Sequence, residues 1–271
     1  MSERLITELK IVKSVEILPE RNLGIEDLEK AAKTLDGVAN VITAPENPGG
    51  KPGVDPFWTT KIVSMQTDAI AVPHITSRDK NRIYIISQII SAIKNDIRNF
   101  FVIGGDPIDP KFSSIEVREM NTNSIIREIR RIQREEYEER VQINIGSGYN
   151  PYRTEENVIS SLKIEAGADF FMTQPFYSRG YLTERIILEN NLKIIPGFIP
   201  ITRKGTINFL RKIGVNMTKA EIYKLIESDD VAGTSRRMFI DAYDEIRNHV
   251  MGIHIMPMGN YALARDILES V

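Results

Sequence analysis

Eight short apolar runs, rich in β-branched residues and each stopped by turn formers, punctuate the chain from one end to the other: 13–20, 38–45, 68–75, 99–106, 140–147, 169–176, 193–200 and 252–259. The runs are continuous and do not alternate with polar residues, the pattern of strands covered on both faces. Amphipathic helical segments lie between them. The clearest spans 82–97, where Ile83, Ile86, Ile90, Ile93 and Ile97 recur at steps of three and four. Residues 124–139 repeat the pattern with Ile125, Ile129 and Ile132, and their many charges read as a solvated outer face. Further helical segments at 24–37, 154–167, 182–190, 205–214 and 236–249 complete the alternation, and 218–230 suggests an extra helix before the eighth run. Eight βα units without a break in composition predict one α/β domain over residues 1–271, a single closed (β/α)8 TIM barrel instead of two Rossmann halves. No G-x-G-x-x-G follows any run, so no dinucleotide fingerprint is present.

Composition narrows the function classes. Thirty-five basic residues against thirty-seven acidic give a net charge of -2, which removes the case for nucleic acid or a membrane surface and leaves a small-molecule partner. Cysteine is absent, excluding disulfides, thiolate metal sites and cysteine nucleophiles, and a reducing cytoplasm is the expected location. The three histidines include His249 in a charged, solvated segment, so no metal centre is expected.

A barrel gathers the carboxyl ends of its strands at one mouth, where sites of this fold are built. Seven of the eight runs carry a notable polar group there: Glu16, Thr43, His74, Asp106, Ser147 with Tyr149 and Asn150, Thr173 with Gln174, and His254. Buried polar groups need partners, either one another, as a cluster capping the barrel, or a ligand. Glu16 sits among Val15, Ile17 and Leu18, surroundings that raise a carboxyl pKa toward a useful proton donor. Asp106 follows Gly104 and Gly105, which permit close approach by a flat ligand, and the Gln174 amide matches the donor and acceptor edge of a heterocycle. The residues point to acid-assisted chemistry on a heterocycle without saying which one.

Read in order, VEILPER (15–21), VITAPENP (41–48), HITSRDKN (74–81), IGGDP (103–107), GYNP (148–151), LKIEAGADFFMTQPF (162–176) and IIPGFIPIT (194–202) resemble the methylenetetrahydrofolate reductase family. The resemblance runs from about residue 13 to residue 266, and the K-x-x-A-G-A-D-F-x-x-T-Q run with the fourth-strand G-D-P is its most specific part. It implies a barrel holding a flavin, FAD or alternatively FMN, that passes a hydride from NADH or NADPH to a methylene-tetrahydropterin, a step of one-carbon and methionine metabolism. On that basis Glu16 would be the acid that opens the methylene bridge, Asp106 would stand between flavin and pterin, and Gln174 would bond the pterin. Thr43, His74, Gly105, Ser147, Tyr149 and Asn150 would contact the flavin, and Lys163, one turn into its helix, would meet the flavin phosphates. The chain departs from better-known bacterial members at Gly104 and Asn260, where those carry arginine, and at Thr206, the counterpart of a folate-contacting glutamine. The alternatives are a modified archaeal-type pterin, a flavin-free pterin or methyl transferase, and a barrel subunit dependent on partners. A homo-oligomer is the usual expectation for such barrels.

Overall fold

In the computed structural model, which describes residues 4–138, 140–177 and 192–271, each apolar run becomes a strand. These are β1 (Val12–Glu16), β2 (Val41–Ala44), β3 (Ile70–Thr76), β4 (Asn99–Ile103), β5 (Asn144–Tyr149), β6 (Phe170–Pro175), β7 (Ile194–Phe198) and β8 (Gly252–Ile255). Every strand pairs in parallel with its sequence neighbours, and β8 returns to β1 through Ser14 opposite His254, closing the barrel. The described helices are α1 (Ile25–Leu35), α2 (Pro56–Gln66), α3 (Arg82–Lys94), α4 (Thr122–Tyr137), α5 (Glu156–Ala166), α6 (Gly205–Lys212), α7 (Lys219–Ile226), α8 (Val231–Ile246) and α9 (Tyr261–Glu269). The extra helix expected between the seventh and eighth strands is α7. The helical segment expected over 182–190 lies outside the described residues.

Two layers of apolar packing follow from the alternation of side chains along each strand. Val12, Val41, Ile70, Val72, Phe101, Phe170, Met172 and Ile195 fill the bore. The odd-even partners, such as Val15, Ile17, Ile42, Phe171 and Phe198, face outward into the helical layer. In α3 the expected stripe holds in part: Ile93 is buried and Ile86, Ile90 and Ile97 pack partly against the core, but Ile83 is 76% exposed and the most buried positions are Ile85, Ile89, Ala92 and Ile93. An isoleucine-rich helix offers several overlapping three- and four-residue series, and only the sheet decides among them. In α4 Ile125, Ile129 and Ile132 do face the core, but Glu128 is also buried, paired with Arg82 and Arg131, so its charges are not all solvated.

The amino end of the bore is stoppered by the 3-10 turn Ile6–Glu8. The Ile6 amide donates to Asn99 Oδ1 at 3.0 Å, and the Thr7 amide and hydroxyl both donate to Asn144 Oδ1 at 2.9 Å. Replacing Asn144, nearly buried at the start of β5, by leucine strips the acceptor from two donors. The expected loss is about 1–3 kcal/mol, read as a lowered urea midpoint. An unchanged midpoint would mean the stopper contributes nothing.

Candidate active site at the carboxyl ends of the strands

Glu16 is the last residue of β1, opposite Thr43 of β2. Strand alternation turns it to the bore side, away from Val15 and Ile17, which pack in the outer layer. Its carboxyl is pushed up from 4.5 to about 7, first by burial and second by the nearby Asp106 carboxylate. The raised pKa expected from the sequence is present, with burial as its first cause and the neighbouring Asp106 carboxylate, which the local sequence does not show, as its second. A carboxyl poised near neutrality can donate a proton and take it back.

Just below lie the histidines. His254 Nδ1 and Ser14 Oγ are 2.9 Å apart across the closing seam. The His74 ring packs 4.7 Å from that of Phe101, and neither of its nitrogens has a hydrogen-bond partner among the described residues. Thr43 Oγ1 is in the same condition. Burial holds both imidazoles neutral: His254 falls to about 4, and His74, with His254 close by as a second cause, to about 3. A buried hydroxyl or imidazole without partners is costly, which makes these atoms candidates for a ligand contact.

Asp106 follows β4 on an exposed loop, where its Oδ2 accepts the Gly49 amide at 2.7 Å from the loop after β2. Gly105 has φ +80, and a Cβ there would meet Thr76 Cβ at 3.1 Å. Its glycine therefore serves a backbone turn packed on β3. Gln174 is exposed at a break in register between β6 and β7, a bulge that re-aims a side chain. The bulge is fixed by Thr173, whose hydroxyl donates to the Gln174 carbonyl and accepts the Gly197 amide, each at 2.8 Å, and by the Tyr152 hydroxyl on the Pro175 carbonyl. Thr173 is thereby occupied with backbone.

Four expected cofactor contacts sit differently. Ser147 is fully buried with its hydroxyl on the Val102 carbonyl, and Tyr149 packs edge-on against Phe171 in the outer layer. Both lie one pleat out of phase with the bore, so neither faces the mouth. Asn150 accepts the Tyr152 amide through its own side chain, shaping the loop. Lys163 stands in the last turn of α5, not one turn in. Its ammonium nonetheless reaches back to the rim, where it donates to the Gly148 carbonyl and lies 3.8 Å from buried Glu156. Burial lowers its pKa, and Glu156 opposes that shift. Thr206 opens α6 after β7, its amide on the Arg203 carbonyl.

The family model described as methylenetetrahydrofolate reductase matches residues 3–271. The chain belongs to the methylenetetrahydrofolate reductase family. No curated protein matches it. Among solved structures, a Clostridium thermocellum protein reported to bind two copies of 5-methyl-5,6,7,8-tetrahydrofolic acid superposes with a TM-score of 0.70 at 14% identity, covering 98% of each chain. The Bacillus cereus spore cortex-lytic enzyme SleL superposes at 0.54 with 11% identity, covering 95% of this chain and 74% of its own. At such identities these likenesses show the barrel alone. Among the described residues of this methylenetetrahydrofolate reductase family member, no cluster of three metal-ligating side chains occurs and no helix is long and apolar enough to cross a membrane.

The sequence reading overlooked the charges that frame this family member's mouth. Glu46 and Lys80, both about 7% exposed, form an ion pair of 2.7 Å, with Glu46 also accepting the Thr76 amide and hydroxyl. Arg78, only 1% exposed, pairs with Asp79 and donates to the Asp106 carbonyl at 2.6 Å. The signal was available: an R-D-K run abutting an apolar strand cannot leave every charge in water without the chain turning sharply outward.

Titration of the mouth gives a stability prediction. Between pH 6.5 and about 4.5 the unfolded chain holds protons on His74 and His254 that the native chain does not, while the native chain holds one on Glu16 that the unfolded chain does not. The histidine contribution is present above 6.5 and lost toward acid, and the Glu16 contribution runs the opposite way. The balance is one proton, so stability should fall by about 1.4 kcal/mol for each pH unit of acidification. Urea melts across this window test it; stability that is flat or rises toward acid contradicts the burial of both rings.

Proposed function

We propose that the chain reduces a methylene-tetrahydropterin to its methyl form with NADH or NADPH, using a bound flavin. The observation that carries the reading is Glu16, a carboxyl brought to about 7 at a mouth it shares with Asp106, beside the unpartnered polar atoms of Thr43 and His74. Thr43 and His74 would meet the polar edge of a flat tricyclic ring, and the Lys163 ammonium, at the rim on Gly148 and Glu156, would turn to a flavin phosphate. A bound flavin would supply a two-electron carrier between nicotinamide and pterin. Glu16, protonated near neutral pH, would give its proton to the bridging ring nitrogen and open the methylene bridge to an iminium ion. Its carboxylate is then disfavoured beside Asp106, so reprotonation for the next turnover is easy. Neutral His74 and His254 leave the bore uncharged beneath the reacting rings. Gln174, on its bulge, would hold the pterin edge, and Thr206 would face its tail. The methyltetrahydrofolate reported in the Clostridium thermocellum barrel supports a pterin as the ligand class.

A second reading, a flavin-free barrel acting on pterins, is favoured by the occupation of Lys163 by Gly148 and Glu156, for which a flavin phosphate would have to compete. Colour separates the two. The purified reductase should be yellow, bleach with NADH or NADPH without oxygen, and regain colour with the methylene-pterin. A colourless protein that binds no added FAD or FMN yet binds methyltetrahydrofolate would establish the second reading.

A further inference from the structure

One buried guanidinium ties together the loops that follow β2, β3 and β4. Arg78 lies in the loop after β3 with 1% of its surface exposed. Its Nε and one Nη grip both oxygens of Asp79, the same Nη reaches the Asn47 carbonyl after β2 at 3.4 Å, and the other Nη holds the Asp106 carbonyl after β4 at 2.6 Å. The Arg78 carbonyl in turn accepts the Val117 amide at 2.8 Å, pinning the far side of the same β4 loop. Asn47 closes the ring by donating to Asp79 at 3.0 Å. Asp106 itself is exposed and borne on a glycine turn at φ +80, so nothing in its own local packing fixes where its carboxylate stands. Two contacts from outside do so, the Gly49 amide on its side chain and Arg78 on its main chain.

We propose that Arg78 is a positioning residue: by clamping the Asp106 main chain it fixes the Asp106 carboxylate at the mouth opposite Glu16, and so sets the pH at which Glu16 works. The proposal rests on Glu16 and Asp106 being the working pair. Arginine suits the task because its planar fork serves a carboxylate and two carbonyls at once in fixed directions, which the single ammonium of lysine does not. Asp106, from the loop after β4, is the charge that acts on Glu16; Tyr261, from α9, lies near enough to feel Glu16, and His254, from β8, lies beside Ser14 on the same bore face and is held neutral by burial. The phenol of Tyr261, pushed up to about 12 chiefly by burial, stays neutral over the working range, which leaves Asp106 as the charge that position can modulate.

The test is a 13C-carboxyl NMR titration of Glu16 in the full chain, its signal identified by its loss in Glu16→Gln. Asp106→Asn sets the reference for complete removal of the neighbouring charge. In Arg78→Met the Glu16 midpoint should fall by about half a pH unit or more toward that reference, because a freed carboxylate spends its time in solvent. In Asp79→Asn, which weakens the same network but leaves the Arg78 bond to Asp106, the midpoint should stay near that of the natural protein. Should Arg78→Met fail to fold, Arg78→Lys takes its place with the same expected direction. An unchanged midpoint on loss of the guanidinium, or an equal fall in Asp79→Asn, overturns the clamp. The titration needs no substrate, so a protein lacking reductase activity would refute the proposed function and still decide this point.

Discussion

Glu16→Gln is expected to leave reduction of the flavin by NADH or NADPH nearly unchanged while the pterin-dependent reoxidation slows ~100-fold or more, the usual cost of removing a general acid. The separation follows from chemistry: delivery of a hydride by a nicotinamide needs no proton donor, whereas opening a methylene bridge does. Glutamine keeps the shape and the hydrogen-bonding capacity of the side chain, so loss of fold is not a competing explanation. The same substitution also removes a mouth carboxyl whose protonation stabilises the folded chain toward acid. Its stability should then fall about twice as steeply between pH 6.5 and about 4.5 as that of the natural protein, near 2.7 kcal/mol for each unit. Stopped-flow measurement of the two half-reactions decides the matter; equal rates in both, with and without the substitution, would make Glu16 a structural carboxyl.

Gly50→Ala should damage fold and site together. Gly50 has φ +69, and a Cβ on it would stand 1.9 Å from the Pro107 carbonyl oxygen and 2.7 Å from the Asp109 nitrogen. Both obstacles are main chain, so neither can rotate aside. The segment they belong to carries Asp106, and the Asp109 amide is bonded to the Gly50 carbonyl at 3.0 Å. Relief of the clash must push the β4 loop away from the β2 loop and pull the Asp106 carboxylate off the Gly49 amide. Left-handed strain and overpacking together suggest a loss of about 3 kcal/mol. A folded variant should also show the lowered Glu16 midpoint expected of Asp106→Asn. Gly49→Ala is the control: a Cβ there meets nothing within 4 Å, so only its φ of +64 is penalised. Equal stability of the two variants would contradict the close contact.

Much of the frame was legible because it is written in periodicity. All eight strands formed from continuous apolar runs, and residues at the ends of those runs, Glu16, Thr43, His74, Asp106 and Gln174, stand at the carboxyl ends of the strands or in the loop that follows. Legibility failed where phase mattered. Ser147 and Tyr149 occupy the right strand but the wrong pleat, and a β-strand reverses its facing with every residue. The family resemblance put Lys163 one turn into its helix, whereas it stands in the last turn and reaches the rim because a long side chain leans toward the amino end of its helix. Arg78, Asp79, Glu46 and Lys80 were passed over because charges after a strand suggest solvent. Here three loops fold over them and bury what the local sequence would have left exposed.

The central claim is that one mouth presents Glu16, Asp106 and Gln174 to a reduced pterin. A crystal structure of this chain with methyltetrahydrofolate tests it most directly. The account predicts the pterin ring across the carboxyl ends of β1 and β6, with a ring nitrogen in hydrogen-bond reach of Glu16 and its amide edge against Gln174. A ring bound at the stoppered amino end, or on the outer helices with Glu16 untouched, would contradict it.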